Sequence, residues 1–170
     1  MNEALLTCTR ALVQQPHQGA LALLQGRLLL ESGKTAEAAE VLRALVDREP
    51  QRWTAAWYLG VTETLRENWA EAEAALATVL ESQPDHAWAW HYRALCAAQQ
   101  GGLDTAMEWI LQAQSADSGE GLHFNQGGWL EVARGRLEQA EQMFTRALNC
   151  TPSLADAAAG LATVCERMGR

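Results

Sequence analysis

Pro16, Pro50 and Pro84 stand 34 residues apart, and Pro152, the last of the four prolines, lies two further periods on. This spacing limits the fold more than any other feature, because a chain built of self-similar units must bury each unit against its neighbours. Stepping by the same interval from Ala4 meets Ala38, Ala72, Ala106 and Ala140. A second column reads Gly33, Gly101, Gly135 and Gly169, broken only by Glu67, and a third reads Gly26, Gly60, Ala94, Gly128 and Ala162. Large apolar residues hold a fourth, with Cys8, Leu42, Leu76, Ile110 and Phe144.

Each period divides into two helical windows, for example 19–32 and 35–48, with apolar residues three and four apart. Gly33 lies between them as the left-handed residue that ends the first helix. The proline then ends the second, since it lacks an amide hydrogen and drives its predecessor out of helical geometry. Asn68 with Glu71, ahead of Ala74, Ala75 and Leu76, predicts a capping box at the start of one second helix. The Ala and Gly columns let paired helices approach closely. One hairpin of this size cannot bury its apolar face alone, so the expected fold is all-α, an α-solenoid of stacked helix-turn-helix units.

Thirty-four-residue helical hairpins with this punctuation resemble the tetratricopeptide repeat family. The matching residues include Leu59-Gly60, Ala72 and Pro84 in one repeat, and Gly128, Ala140, Phe144, Ala147 and Pro152 in another. The expected organisation is a single domain over 1–170, with full repeats at 19–50, 53–84, 87–118 and 121–152 and half repeats at 1–16 and 155–170. The third full repeat has Ser118 in place of proline. The fourth begins through Ser118-Gly119-Glu120-Gly121 and carries Gly127 beside Gly128. Close packing accounts for Gly128; Gly127 leaves either tolerated drift or local adaptability for ligand entry, at a helix cost of about 1 kcal/mol.

The resemblance implies a protein-binding scaffold whose first helices line a concave groove. It places Leu23, Arg27 and Leu30 there, then Trp57, Val61 and Thr64, Trp88, His91 and Leu95, and finally Leu122, Asn125, Trp129 and Val132. Relatives that clamp a carboxylate use a Lys and Asn pair in this groove. Here Leu23 and Arg27 hold that place and the chain has one lysine, Lys34, which disfavours that reading. The alternative is a groove for an apolar strand or the apolar face of a helix. Three tryptophans covering roughly 200 Å² each contribute about 15 kcal/mol gross, against association costs of ~4–15 kcal/mol, so micromolar affinity is the expectation. Trp53, Trp90 and Trp109 fall on the packing side of this phasing, and Trp69 between helices.

A net charge of -8 repels nucleic acid and anionic membranes. The longest apolar run, Ala20 to Leu24, is far short of the ~20 residues that span a bilayer. The start at Met1 shows no basic stretch followed by an apolar core, so a cytoplasmic location is expected. Twelve arginines against one lysine suit a high-GC bacterial genome. Cys8, Cys96, Cys150 and Cys165 form no metal-spaced pair, and His17, His86, His91 and His123 belong to no catalytic motif, so neither metal, cofactor nor enzyme activity is expected. His91 reads as a structural or groove hydrogen-bonding residue. Glu37 with Glu40, and Glu138 with Glu141, read as a solvated outer face.

The expected function is therefore an adaptor or chaperone that holds an apolar segment of a client protein. A second expectation follows from the length of 170, five periods. The chain opens on a second helix, with Ala4, Cys8, Ala11 and Leu12 in their columns, and closes on a first helix. Leu161 and Cys165 of one copy would then pack on Ala4 and Cys8 of another, giving a homo-oligomeric scaffold joined head to tail. Against it, Glu166, Arg167 and Arg170, with Asn2 and Arg10, would serve as polar caps.

Overall fold

The computed structural model describes residues 2–14 and 18–170; Met1, Gln15, Pro16 and His17, and the side chains of Asn2, Thr9, Leu12 and Val13, lie outside the described part. The described residues form only helices and turns. They fall into two compact units, 1–84 and 85–170.

The first unit holds α1 (Asn2–Gln14), α2 (Gly19–Glu31), α3 (Thr35–Arg48), α4 (Trp53–Leu65) and α5 (Trp69–Ser82). The second holds α6 (Ala87–Gln99), α7 (Leu103–Ala116), α8 (Gly121–Ala133), α9 (Leu137–Cys150) and α10 (Ala155–Arg167). The end of each first helix is closed in one way. Gly33, Gly101, Gly135 and Gly169 take positive φ, and so does Glu67, at 61°. The next amide then reaches back five residues: Lys34 to the Leu29 carbonyl, Asn68 to Glu63, Gly102 to Ala97, Arg136 to Glu131 and Arg170 to Cys165, each at 2.9 Å. This left-handed closure uses carbonyls that the helix itself leaves unpaired. The position broken in sequence by Glu67 is therefore unbroken in conformation.

The predicted capping box is absent. Asn68 makes no side-chain bond to the start of α5; its amide instead donates to Glu63 Oε2 at 2.7 Å. A buried carboxylate competes better for that amide than a solvated helix end, because a charge-assisted bond is the stronger one and the carboxylate has no water to fall back on.

The columns become the core. In the first unit, Leu29, Ala38, Ala39, Leu42 and Leu59 form one buried cluster, and Ala22, Leu45 and Ala55 another. In the second unit, Ala94, Ala106, Met107 and Ile110 cluster with Leu130, and Phe124, Ala140, Phe144, Ala147, Ala157 and Val164 form a further cluster. A Cβ on Gly128 would stand 2.6 Å from the Phe144 ring, so the small column exists because a large side chain is seated on it. Gly127 also has a packing role, since a Cβ there would lie 2.8 Å from Gln114 Nε2.

Candidate functional site

The side chains named for a partner-binding face lie on α2 and α4 in the first unit and on α6 and α8 in the second. On α2, Leu23 is half-buried against the apolar cluster, and the Arg27 guanidinium stands 5.3 Å from the centroid of the Tyr58 ring and 4.0 Å from Glu31. On α4, Trp57 and Val61 are half-buried. Arg27 therefore presents a stacked, partly exposed cation beside apolar surface.

In the second unit the helical spacing brings Trp88 and His91 of α6 against His123 of α8, with the Tyr92 ring beside Trp88 and His91. The two histidines meet Nδ1 to Nδ1 at 3.0 Å, and the Trp88 ring lies 5.0 Å from each. His123 is fully buried, and its Nε2 has no hydrogen-bond partner. An orphaned N–H is rarer than an orphaned acceptor, so the tautomer follows: His123 donates from Nδ1 to His91 Nδ1. Burial, with the His123 charge adding to it, lowers the His91 pKa to about 3. Burial lowers His123 too, while Glu120 and Asp117 pull the other way. The pair is neutral at pH 7.

Asn125 and Trp129, one turn apart on α8, converge on the exposed Asp156 of α10. The Asn125 amide and the Trp129 indole N–H both donate to its Oδ2, at 2.6 and 3.0 Å. The Trp129 ring also stands edge-on to Phe144, at 5.2 Å. These two side chains thus have partners inside the unit, whereas Leu122 on the same helix is 39% exposed. Leu95 is half-buried. Sequence reasoning missed His123 and Asp156 as members of this face. Both contacts join neighbouring first helices at separations of 32 and 31 residues, slightly under one period, and that offset was a readable signal.

Trp90 and Trp109 pack beside the Ile110 cluster, with the Arg93 guanidinium over both rings, 3.9 Å from the Trp109 centroid. Trp53 and Trp69 are half-buried.

At α1, Ala4 is exposed and Cys8 is buried, its thiol donating to the Leu21 carbonyl at 3.2 Å. Both line an open recess of about 520 Å³ with Ala11, Leu21 and Leu24. On α10, Leu161 and Cys165 are half-buried, and Leu161 packs on the Phe144 cluster. Arg170 folds back onto Glu141 of α9. Glu37, Glu40 and Glu138 are exposed. Among the described residues no helix is long and apolar enough to cross a membrane, and no group of three or more His, Cys, Asp or Glu converges as metal ligands would.

No curated protein matches the sequence. Solved structures do match. MamA from Desulfovibrio magneticus RS-1 shares 19% identity at a TM-score of 0.85, over 90% of this chain and 86% of its own. TTC0263, a thermophilic TPR protein of Thermus thermophilus, shares 22% identity at a TM-score of 0.75, over 94% of this chain and 88% of its own. YrrB, a TPR protein with an unusual peptide-binding site, shares 15% at a TM-score of 0.76, over 95% of this chain and 84% of its own. At such identities the likeness establishes the fold, an all-α solenoid of helical hairpins. The sequence model of the tetratricopeptide repeat matches residues 23–72 and 66–120, together more than half of the 170 residues, and the chain belongs to the tetratricopeptide repeat family.

Proposed function

We propose that the protein is a non-catalytic binding module that takes up an apolar strand or amphipathic helix of a client protein on its first-helix faces. It would act as an adaptor or chaperone in a bacterial cytoplasm. The observation that carries this reading is apolar and aromatic surface left open on first helices: Leu122 at 39% and Leu24 at 43% exposure, beside half-buried Leu23, Trp57, Val61, Trp88 and Leu95. Family membership adds weight, and so does the peptide-binding site ascribed to YrrB. Trp88 and Trp129 spend part of their surface on contacts within the second unit, and Leu122, 39% exposed, leaves its apolar surface open to a client. Arg27 supplies a cation beside that surface, and His91 a neutral ring edge.

The test is a pull-down from the native lysate with wild type, Trp57→Ala and Leu122→Asp, the folding of each confirmed by circular dichroism. A client retained by wild type and lost from either variant is the expected result. Equal retention by all three overturns the reading.

A second reading is self-assembly, with α10 of one copy on α1 of the next through Leu161, Cys165, Ala4 and Cys8. The open recess beside α1, with Leu6 55% exposed, favours it. Light scattering that shows one constant monomeric mass over a hundredfold range of concentration removes it.

A further inference from the structure

Two pockets stand at the same phase of the repeat, one in each unit, with key residues 68 apart, or two periods. In the first, between α3, α4 and α5, Glu63 forms the floor, its side chain 1% exposed. That carboxylate is fully served. Arg43 of α3 donates to Oε1, while Arg66 and Asn68 donate to Oε2 at 2.8 and 2.7 Å. A volume of about 260 Å³ remains.

In the second, between α7, α8 and α9, the volume is about 640 Å³ and the floor is Glu131, its side chain 6% exposed. Glu131 is poorly served. Arg134 reaches Oε1 only at 3.4 Å, because Asp104 draws its other nitrogen to 2.7 Å. Oε2 has no hydrogen-bond partner, and Arg136 Nε stops 3.9 Å away. Where the first pocket has Arg43 the second has Leu111, which is 47% exposed. A buried carboxylate oxygen without a donor is costly, and the cost falls to any group that brings one.

The lining fits a cation on an apolar stem. Asp104, Glu108 and Glu131 outnumber Arg134 and Arg136, while Met107, Leu111 and Met143 supply apolar wall. An arginine matches both parts: its methylenes lie along such walls, and its planar fork serves a carboxylate with two donors. We propose that this pocket receives the guanidinium of an arginine on a partner protein, which donates to Glu131 Oε2 as Arg43 donates to Glu63 within the chain. A second copy is the poorer occupant, since it carries the same charge of -8. The site shares no residue with the apolar surface proposed above, so it stands or falls separately.

The probe is the blocked tripeptide acetyl-Leu-Arg-Leu-amide, added to the ¹⁵N-labelled full chain, with the citrulline peptide as its uncharged isostere. The expected result is saturable shifts at the backbone amides of 104–111 and 131–136, with affinity at least about tenfold lower for citrulline and for Glu131→Gln. Leu111→Arg would supply the guanidinium from within the chain; it is expected to abolish the response and to raise Tm. Because Leu111 is exposed, that variant keeps its fold. Equal affinity for both peptides, no shifts, or shifts confined to other residues overturn the proposal, as does full peptide binding by Leu111→Arg. Shifts at these amides that depend on protein concentration alone place a second copy in the pocket and overturn it equally.

Discussion

Phe144 is held between two glycines: a Cβ on Gly128 or on Gly160 would come within 2.6 Å of its ring. Leu42 sits in the same way on Gly26 and Leu76 on Gly60, while Ala94 is tolerated where the knob is Ile110. Gly128→Ala therefore overpacks the site, and urea unfolding should show a loss of about 1–3 kcal/mol; a neutral result would mean that Phe144 can move. Gly127→Ala crowds the Gln114 amide, with Met143 at ordinary contact distance, and should cost less. Glu67 gives the opposite case. It sits at φ 61°, where a side chain strains the backbone, so Glu67→Gly should stabilise by about 1 kcal/mol, read as a rise in Tm. The paired columns were legible in the sequence because a knob and its glycine keep a constant separation of 16 residues. The ion network on Glu63 was not, since it depends on which charged side chains happen to face a buried oxygen.

Helix ends were legible wherever a backbone rule sets them. Gly33, Gly101 and Gly135 close first helices, and Pro50, Pro84 and Pro152 follow second ones, because left-handed φ and a missing amide hydrogen are local properties. The capping box at Asn68 failed because Glu63, five residues back on the preceding helix and buried, outcompeted the helix end. The role of α8 was equally hidden. The sequence placed its Leu122, Asn125, Trp129 and Val132 in a groove, yet the helix also buries His123, Asn125 and Glu131, and the partners of His123 and Asn125 lie on other helices, His91 of α6 and Asp156 of α10. Such a helix, enclosed by α7, α9 and α10, should exchange its amides most slowly in the second unit, and α1, whose main packing among the described residues is on α2, should exchange fast. Hydrogen exchange followed by mass spectrometry reads this directly. Comparable protection in α1 and α8 would show that burial does not set the order.

For the whole chain, the histidine pair makes stability depend on pH. An unfolded His91 takes up a proton as pH falls through about 6.5, whereas the folded one resists until about 3. The stabilisation is thus complete above pH 6.5 and declines as pH falls from there toward 3. The slope is at most about 1.4 kcal/mol per pH unit for each such group. Asp117 and Glu120 moderate the part contributed by His123. Tm measured from pH 7 to pH 4.5 should fall in wild type and fall less in His91→Gln; parallel curves would remove the pair as the cause. The period revealed the repeat architecture, but not which first-helix side chains remain open, because that depends on contacts such as Asn125 and Trp129 with Asp156. The central claim is that clients dock on first-helix surface. Its most direct test replaces Leu122 on α8, or Glu40 on the exposed side of α3, with p-benzoylphenylalanine and irradiates the native lysate. Crosslinks to one client from position 122 and none from position 40 are the predicted result; equal crosslinking from both positions, or crosslinking from 40 alone, would contradict it.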